Sequence, residues 1–538
     1  MRANRLRSFV LGPLFSVAVL GAAGSGSQLV EAIKKADHAA VRSALQQHID
    51  VDSAEVDGTT ALHWAARLND LETTELLIRA GASVKVATRY GVTPLSLACA
   101  NGNAAMIEKL IKAGADPNTS TPEGETALMT ASRTGEADAV AVLLGSGAKV
   151  EVKENWKGQT ALMWASGEGH TLAAKALIEH GAVIQERSKR GFTPLLFAVR
   201  NGHMDTVRYL LAAGANVNDA APDGTSALAM AVINANYELA GLLLEKGADP
   251  NAPDPRGSVL HALAFMRRPG SGNPPHQIGD LDSLELAKDL LNHGANPNAR
   301  IAWKEIKFDR DLGVVKQPPN ISIGRNYLSF VGATPFYLAA KHGDVELMRV
   351  LAAGGADPLA KTQQNITPLM AAAGIGFWDG ESPGPLWGVS EADRVEACKL
   401  AIEMGNDVNA TANFGDFPIE GDGMSLLLRL PLNLERLPET AWGDVRWSGS
   451  TALHGAALTG QNAVVKFLVE KGAKLDAKNR LEWTPLMVGE GVFVANTQKI
   501  WPSTVELLKQ LMAEHGLKID AHGGKIAAAE PARALGQQ

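Results

Sequence analysis

From about residue 57 onward, short apolar-faced stretches alternate with polar breaks at a fixed interval. In "RGFTPLLFAVRNGHMDTVRYLLAAGANVNDAAP", residues 190–222, Leu195, Leu196, Ala198 and Val199 form one packing face. Val207, Leu210 and Leu211 form a second at the i, i+3, i+4 spacing of one side of an α-helix. The punctuation fits two helices. Thr193 suits an N-cap, and Pro194 suits the first helical position, where its missing N–H costs nothing. Asn201-Gly202-His203 breaks the chain, and Gly214 suits a left-handed C-terminal cap. Asn216 to Gly224 is turn material leading onward as a finger. Two helices this short cannot cover both faces alone.

Their neighbours supply the cover. Thr60, Thr93, Thr126, Thr160, Thr193 and Ser226 recur every 33 or 34 residues, each followed by Ala or Pro and then Leu. Gly-Ala pairs at 81–82, 114–115, 147–148, 181–182, 214–215 and 247–248 keep the same beat. Such a period marks a stack in which each unit buries its faces on the next, so one elongated body is expected instead of the three or four domains the length would suggest. After residue 256 the phase is interrupted and returns at Thr334, Thr367, Thr451 and Thr484. Insertions at 267–282, 375–390 and 489–503 separate the two helices of the seventh, ninth and eleventh units; those at 301–330 and 408–447 replace fingers. A loop of this size is wider than one ~10 Å unit, so alternation gives each room against a plain neighbour. The alternating "IKFD", "GVV" and "ISI" of the first finger insertion predict an extended hairpin, and the second has room for a short helix or a degenerate unit.

The turn, helix, helix unit resembles the ankyrin repeat. Thr60-Ala61-Leu62-His63 and Thr451-Ala452-Leu453-His454 are similar to its Thr-Pro-Leu-His signature, and Gly169-His170 and Gly202-His203 to its second motif. Most units carry Ser, Met, Leu or Ala in place of the motif His. The resemblance implies an all-α solenoid of helix pairs with β-hairpin-like fingers: a capping helix pair at about 28–56, then some eleven units. The expected organisation is a signal peptide at 1–23, the cap and regular repeats at 24–256, repeats with long insertions at 257–520, and a disordered tail at 521–538.

Composition adds where the chain acts. Arg2, Arg5 and Arg7 precede an apolar run from Phe9 to Leu20 and then Gly21, Ala22, Ala23 and Gly24, the layout of a secretory signal cleaved near Ala23. The run is short for a membrane span and contains Pro13, so no stable membrane insertion is expected after cleavage, and the protein is expected in the periplasm of a bacterial source or outside the cell. Losing those three arginines takes the formal charge from −7 to −10, which disfavours nucleic acid as a partner. The two cysteines, Cys99 and Cys398, fall about seven units apart and are expected as separate buried thiols.

No HExxH, GxSxG or phosphate-loop motif occurs, and His276, near Asp280 and Asp282, has no second His at a ligand spacing. The chain is therefore not read as an enzyme, and no cofactor or metal is expected. Binding is. In ankyrin arrays the finger tips and inner-helix ends line a concave groove, and the resemblance maps onto it Arg67, Val92, Arg133, Glu168 and Asn201, with Arg89, Tyr90, Trp156, Lys157, Lys189, Arg190, Phe192 and Arg200 as the core of a protein-binding surface. Arg and aromatic residues are the types enriched at interface centres, and an anionic partner would complement them. The competing possibility is a carbohydrate or cell-envelope ligand held by finger-edge Trp303, Trp442, Trp447 and Trp483. Seven of the ten tryptophans lie beyond residue 300, and the alternative role for each is to pin an insertion to the stack.

Overall fold

The computed structural model describes residues 25–267, 279–302, 331–375, 389–413, 448–480, 482–491 and 500–519, with the backbone of 308–309 and 314–315. The chain divides into two compact bodies, Met1–Arg190 and Gly191–Gln538. In the N-terminal body α1 (Ser25–Lys34) and α2 (His38–Gln46) form the cap. Four repeats follow: α3 (Ala61–Arg67) with α4 (Leu71–Arg79), α5 (Pro94–Ala100) with α6 (Ala104–Lys112), α7 (Ala127–Thr134) with α8 (Ala137–Gly145), and α9 (Ala161–Glu168) with α10 (Thr171–Glu179). The C-terminal body holds repeats five to eleven. These are α11 (Pro194–Arg200) with α12 (Met204–Ala212), α13 (Ala227–Ile233) with α14 (Tyr237–Glu245), α15 (Val259–Met266) with α16 (Ser283–Asn292), and α17 (Pro335–His342) with α18 (Val345–Ala353). Then come α19 (Pro368–Ala372) with α20 (Glu391–Glu403), α21 (Ala452–Thr459) with α22 (Asn462–Glu470), and α23 (Pro485–Gly489) with α24 (Pro502–Glu514). Among the described residues the structure carries the cap and eleven helix pairs. The predicted hairpin is present as a two-residue ribbon, β1 (Phe308–Asp309) antiparallel to β2 (Val314–Val315), with Phe308 opposite Val315.

The caps are built as the residue types require. Thr193 Oγ1 accepts the Leu196 N–H at 3.3 Å, Ser226 Oγ that of Ala229 at 3.1 Å, and Thr334 Oγ1 that of Tyr337 at 3.2 Å. Pro194 and Pro335 stand at the start of their helices, and Gly214 ends α12 at φ +100°, a conformation only glycine adopts cheaply. Inner helices stack on inner helices, as α7 does on α5 and α9, and outer on outer, as α8 does on α6 and α10. The core between them is small: Ala131, Val140 and Leu143 are completely buried.

Three inner helices keep the signature histidine, and it ties repeats together. His63 Nδ1 accepts the Thr60 N–H at 3.2 Å, so the proton sits on Nε2, which donates to Val92 O of the next finger at 3.0 Å. His454 repeats this between Thr451 and Trp483 O. His261, which the motif search passed over, sits between Ser258 and Ala333 O. Burial lowers the pKa of all three, to about 4 for His261 and His454. A neutral ring in the fold and a free one titrating near 6.5 give the unfolded chain more protons below that pH, so stability falls as pH drops from about 6.5 towards 4. We expect the melting temperature to decline across that window, and the decline to flatten in a His261→Gln, His454→Gln variant. A profile of the same slope in both proteins would show that these rings do not titrate on unfolding.

Insertions alternate as expected, and their roots rest on the plain repeats. Arg267, at the end of α15, grips Asp344 of the eighth repeat with two bonds of 2.6 and 3.0 Å. Val389 packs where a Cβ on Gly343 would sit, and the Trp501 ring where one on Gly460 would sit. Trp501 Nε1 also donates to Leu458 O at 3.0 Å. Trp501 therefore pins its insertion to the tenth repeat. Where α19 is cut short, buried Arg394 from α20 donates to its last carbonyl, Ala372 O, at 2.8 Å.

Candidate partner-binding surface

The fingers of the N-terminal body are narrow turns closed by a backbone bond, Thr88 N to Val92 O at 2.9 Å and Thr121 N to Glu125 O at 2.9 Å among them. Each tip touches the next. The Arg89 N–H donates to Asp57 O at 2.9 Å, that of Asn155 to Glu123 O at 2.7 Å, and that of Lys189 to Lys157 O at 2.9 Å. The close approach needs glycine: a Cβ on Gly58 would lie 3.1 Å from the Thr88 Cα, and Gly58 has φ +89°. Residues 55 to 190 thus present a nearly continuous edge of tips.

The fourth finger is one residue longer than its neighbours, and Glu154 organises the extra residue. Its carboxylate is 5% exposed and accepts the N–H groups of Trp156, Lys157 and Gln159 at 2.6, 2.8 and 2.8 Å. Burial works to raise its pKa, but these three backbone donors outweigh burial and hold it below the usual carboxylate range. Trp156 is consequently held at the tip with 78% of its surface exposed, and Lys157 Nζ lies 4.7 Å from the ring centre. On the second finger Tyr90 is 58% exposed, with the Arg89 guanidinium 4.7 Å over its ring. Lys189 and Arg190 are exposed on the fifth, where the Lys189 ammonium donates to Asn155 O.

These six residues, Arg89, Tyr90, Trp156, Lys157, Lys189 and Arg190, belong to the N-terminal body. Phe192 and Arg200 belong to the C-terminal body, where the Arg200 guanidinium lies 5.6 Å from the Phe192 ring and 5.3 Å from Phe197. Sequence reasoning missed Glu154 and, on the inner helices, Trp64 and Trp164. Trp64 on α3 is flanked by Lys34 at 4.4 Å and Arg67 at 5.3 Å, its Nε1 bound to Glu55, and Trp164 on α9 lies 5.3 Å from Arg133. Both stand four residues after the capping Thr, a register the sequence displays. Of the finger-edge tryptophans, Trp303, Trp442 and Trp447 lie outside the described residues, as does His276. Trp483 is half-buried, and its carbonyl receives the His454 bond. Among the described residues no three His, Cys, Asp or Glu gather to hold a metal, and no helix is long and apolar enough to cross a membrane. Cys99 and Cys398 are free and buried, and burial pushes both thiols up to about 12.

The family model "Ankyrin repeats (3 copies)" matches residues 29–121, 95–188 and 184–254, and the single "Ankyrin repeat" model matches 331–363 and 448–480, together more than half of the chain. The chain belongs to the ankyrin repeat family. The single-repeat matches fall where finger and helix pair run uninterrupted, in the eighth and tenth ankyrin repeats. Among solved structures it is similar to the ankyrin repeat domain of human ASB11, 28% identical over 44% of this chain and all of that one, with a TM-score of 0.38. No curated protein matches the chain.

Proposed function

We propose that the protein is an exported, non-catalytic ankyrin scaffold that binds a protein partner along its finger edge and concave groove. Arg89, Tyr90, Trp156, Lys157, Lys189 and Arg190 would be its anchors on the N-terminal body, and Phe192 and Arg200 are the residues that the C-terminal body would offer. The observation that carries the reading is Trp156: a buried carboxylate is used to hold a large aromatic ring out in solvent, on an acidic protein, beside Lys157 and the cationic fifth tip of Lys189 and Arg190. Exposed aromatic and arginine side chains are the residues that dominate interface energetics. No observation favours the glycan reading, since the one described tryptophan of its set anchors the next finger. Mature protein coupled to a resin, offered the envelope fraction beside a Trp156→Ala, Arg190→Ala bait, tests the proposal. A partner retained equally by both baits would overturn it.

Export rests on residues 1–24 alone. Mass spectrometry of protein from its native source is expected to find an N-terminus close to Gly24. An intact Met1 in a cytoplasmic fraction would show that the segment is not a cleaved signal.

A further inference from the structure

Each repeat is about one helix diameter thick, and tips meet through the backbone bonds from Arg89, Asn155 and Lys189 to Asp57, Glu123 and Lys157, so successive tips stand about 10 Å apart. That pitch matches one turn of a polyproline II helix, three residues at ~3.1 Å, which puts residues i, i+3, i+6 and i+9 on one face. A β-strand would turn every second contact away from the tips, since its side chains alternate. The tips also carry an ordered series of charges. Arg89 is on the second finger, Glu123 on the third, Lys157 on the fourth and Arg190 on the fifth, all exposed, and Glu123 and Arg190 make no ion pair among the described residues. Tyr90 and Trp156 stand beside the first and third of these charges as flat apolar platforms.

We propose that the finger edge of residues 88–190 binds a proline-rich segment in the polyproline II conformation, with an acidic residue at i, a basic one at i+3 and acidic ones at i+6 and i+9. This deepens the partner-binding reading and rests on it. The acids meet Arg89, Lys157 and Arg190, the base meets Glu123, and intervening prolines lie on Tyr90 and Trp156, the stacking by which aromatic surfaces hold such helices. A polyproline II segment loses little conformational freedom on docking, so modest contacts suffice.

The test is fluorescence anisotropy of the full mature chain with labelled peptides built on Glu-Pro-Pro-Lys-Pro-Pro-Glu-Pro-Pro-Glu. The three-residue spacing is expected to bind about tenfold more tightly than peptides of the same charge with spacings of two or four. Glu123→Lys, at an exposed tip, is expected to reverse the central preference, favouring glutamate over lysine at i+3. Equal binding within about twofold across the three spacings overturns the proposal, as does an unchanged preference in Glu123→Lys, or a sulfated polysaccharide that outcompetes every peptide. If the peptides fail while Trp156→Ala still releases the captured partner, the groove stands as the partner site and only the polyproline register falls.

Discussion

Leu195→Asp is expected to lower the melting temperature steeply, whereas Leu172→Asp leaves it within a degree or two of wild type. Leu195 lies on α11, which packs on α12 and α13, and is 1% exposed; Leu172 opens α10 and is 67% exposed. At Leu195 the change removes a buried side chain, costing ~2–3 kcal/mol in transfer and cavity terms, and places a carboxylate where the inner helices stack. An unpaired buried charge adds several kcal/mol more, or the acid is forced to stay protonated with its pKa raised. A solenoid has no distant core to absorb such a loss, because each repeat is stabilised by those beside it. Thermal melts followed by circular dichroism decide the matter. A curve for Leu195→Asp that overlays wild type would mean the position is not at the stacked face.

The elements were legible where the period was unbroken. Capping threonines and Gly-Ala pairs fix both ends of a helix pair locally, through bonds that close within five residues, so they survive in sequence as spacing. What was lost depended on distance along the chain. His261 does the same work as His63, but its carbonyl partner at Ala333 lies 72 residues on instead of 29, because the insertions at 267–282 and 301–330 both intervene. Glu154 gave no signal at all, since a carboxylate becomes a turn organiser only when three N–H groups converge on it. Trp64 and Trp164 were hidden differently. A tryptophan four residues into an inner helix reads as packing, and only the cations placed beside it by other segments, Lys34 and Arg133, mark it as surface. The insertions beyond residue 256 announce themselves by breaking phase, and the residues at their roots, Arg267 and Trp501, show where they are fastened.

Trp156→Ala and Arg190→Ala are each expected to weaken partner binding at least thirtyfold while leaving the melting temperature nearly unchanged. A tryptophan or arginine at the centre of an interface commonly contributes ~2 kcal/mol or more on truncation, and each 1.4 kcal/mol is tenfold in affinity. Stability should not follow, because the Trp156 ring is 78% exposed in the free protein and little packing is lost with it. Glu154→Ala separates presentation from contact. It leaves the ring in place but removes the acceptor for three backbone N–H groups, so the finger loosens and affinity falls by a smaller factor through the cost of reordering the tip. Added salt is expected to slow association with an anionic partner and to change dissociation less, since long-range attraction acts before contact. Surface plasmon resonance with the captured partner reads all three quantities. If Trp156→Ala and Arg190→Ala both bind as wild type does, the finger edge is not the docking surface, and the Trp64 and Trp164 faces of the inner helices become the next place to cut.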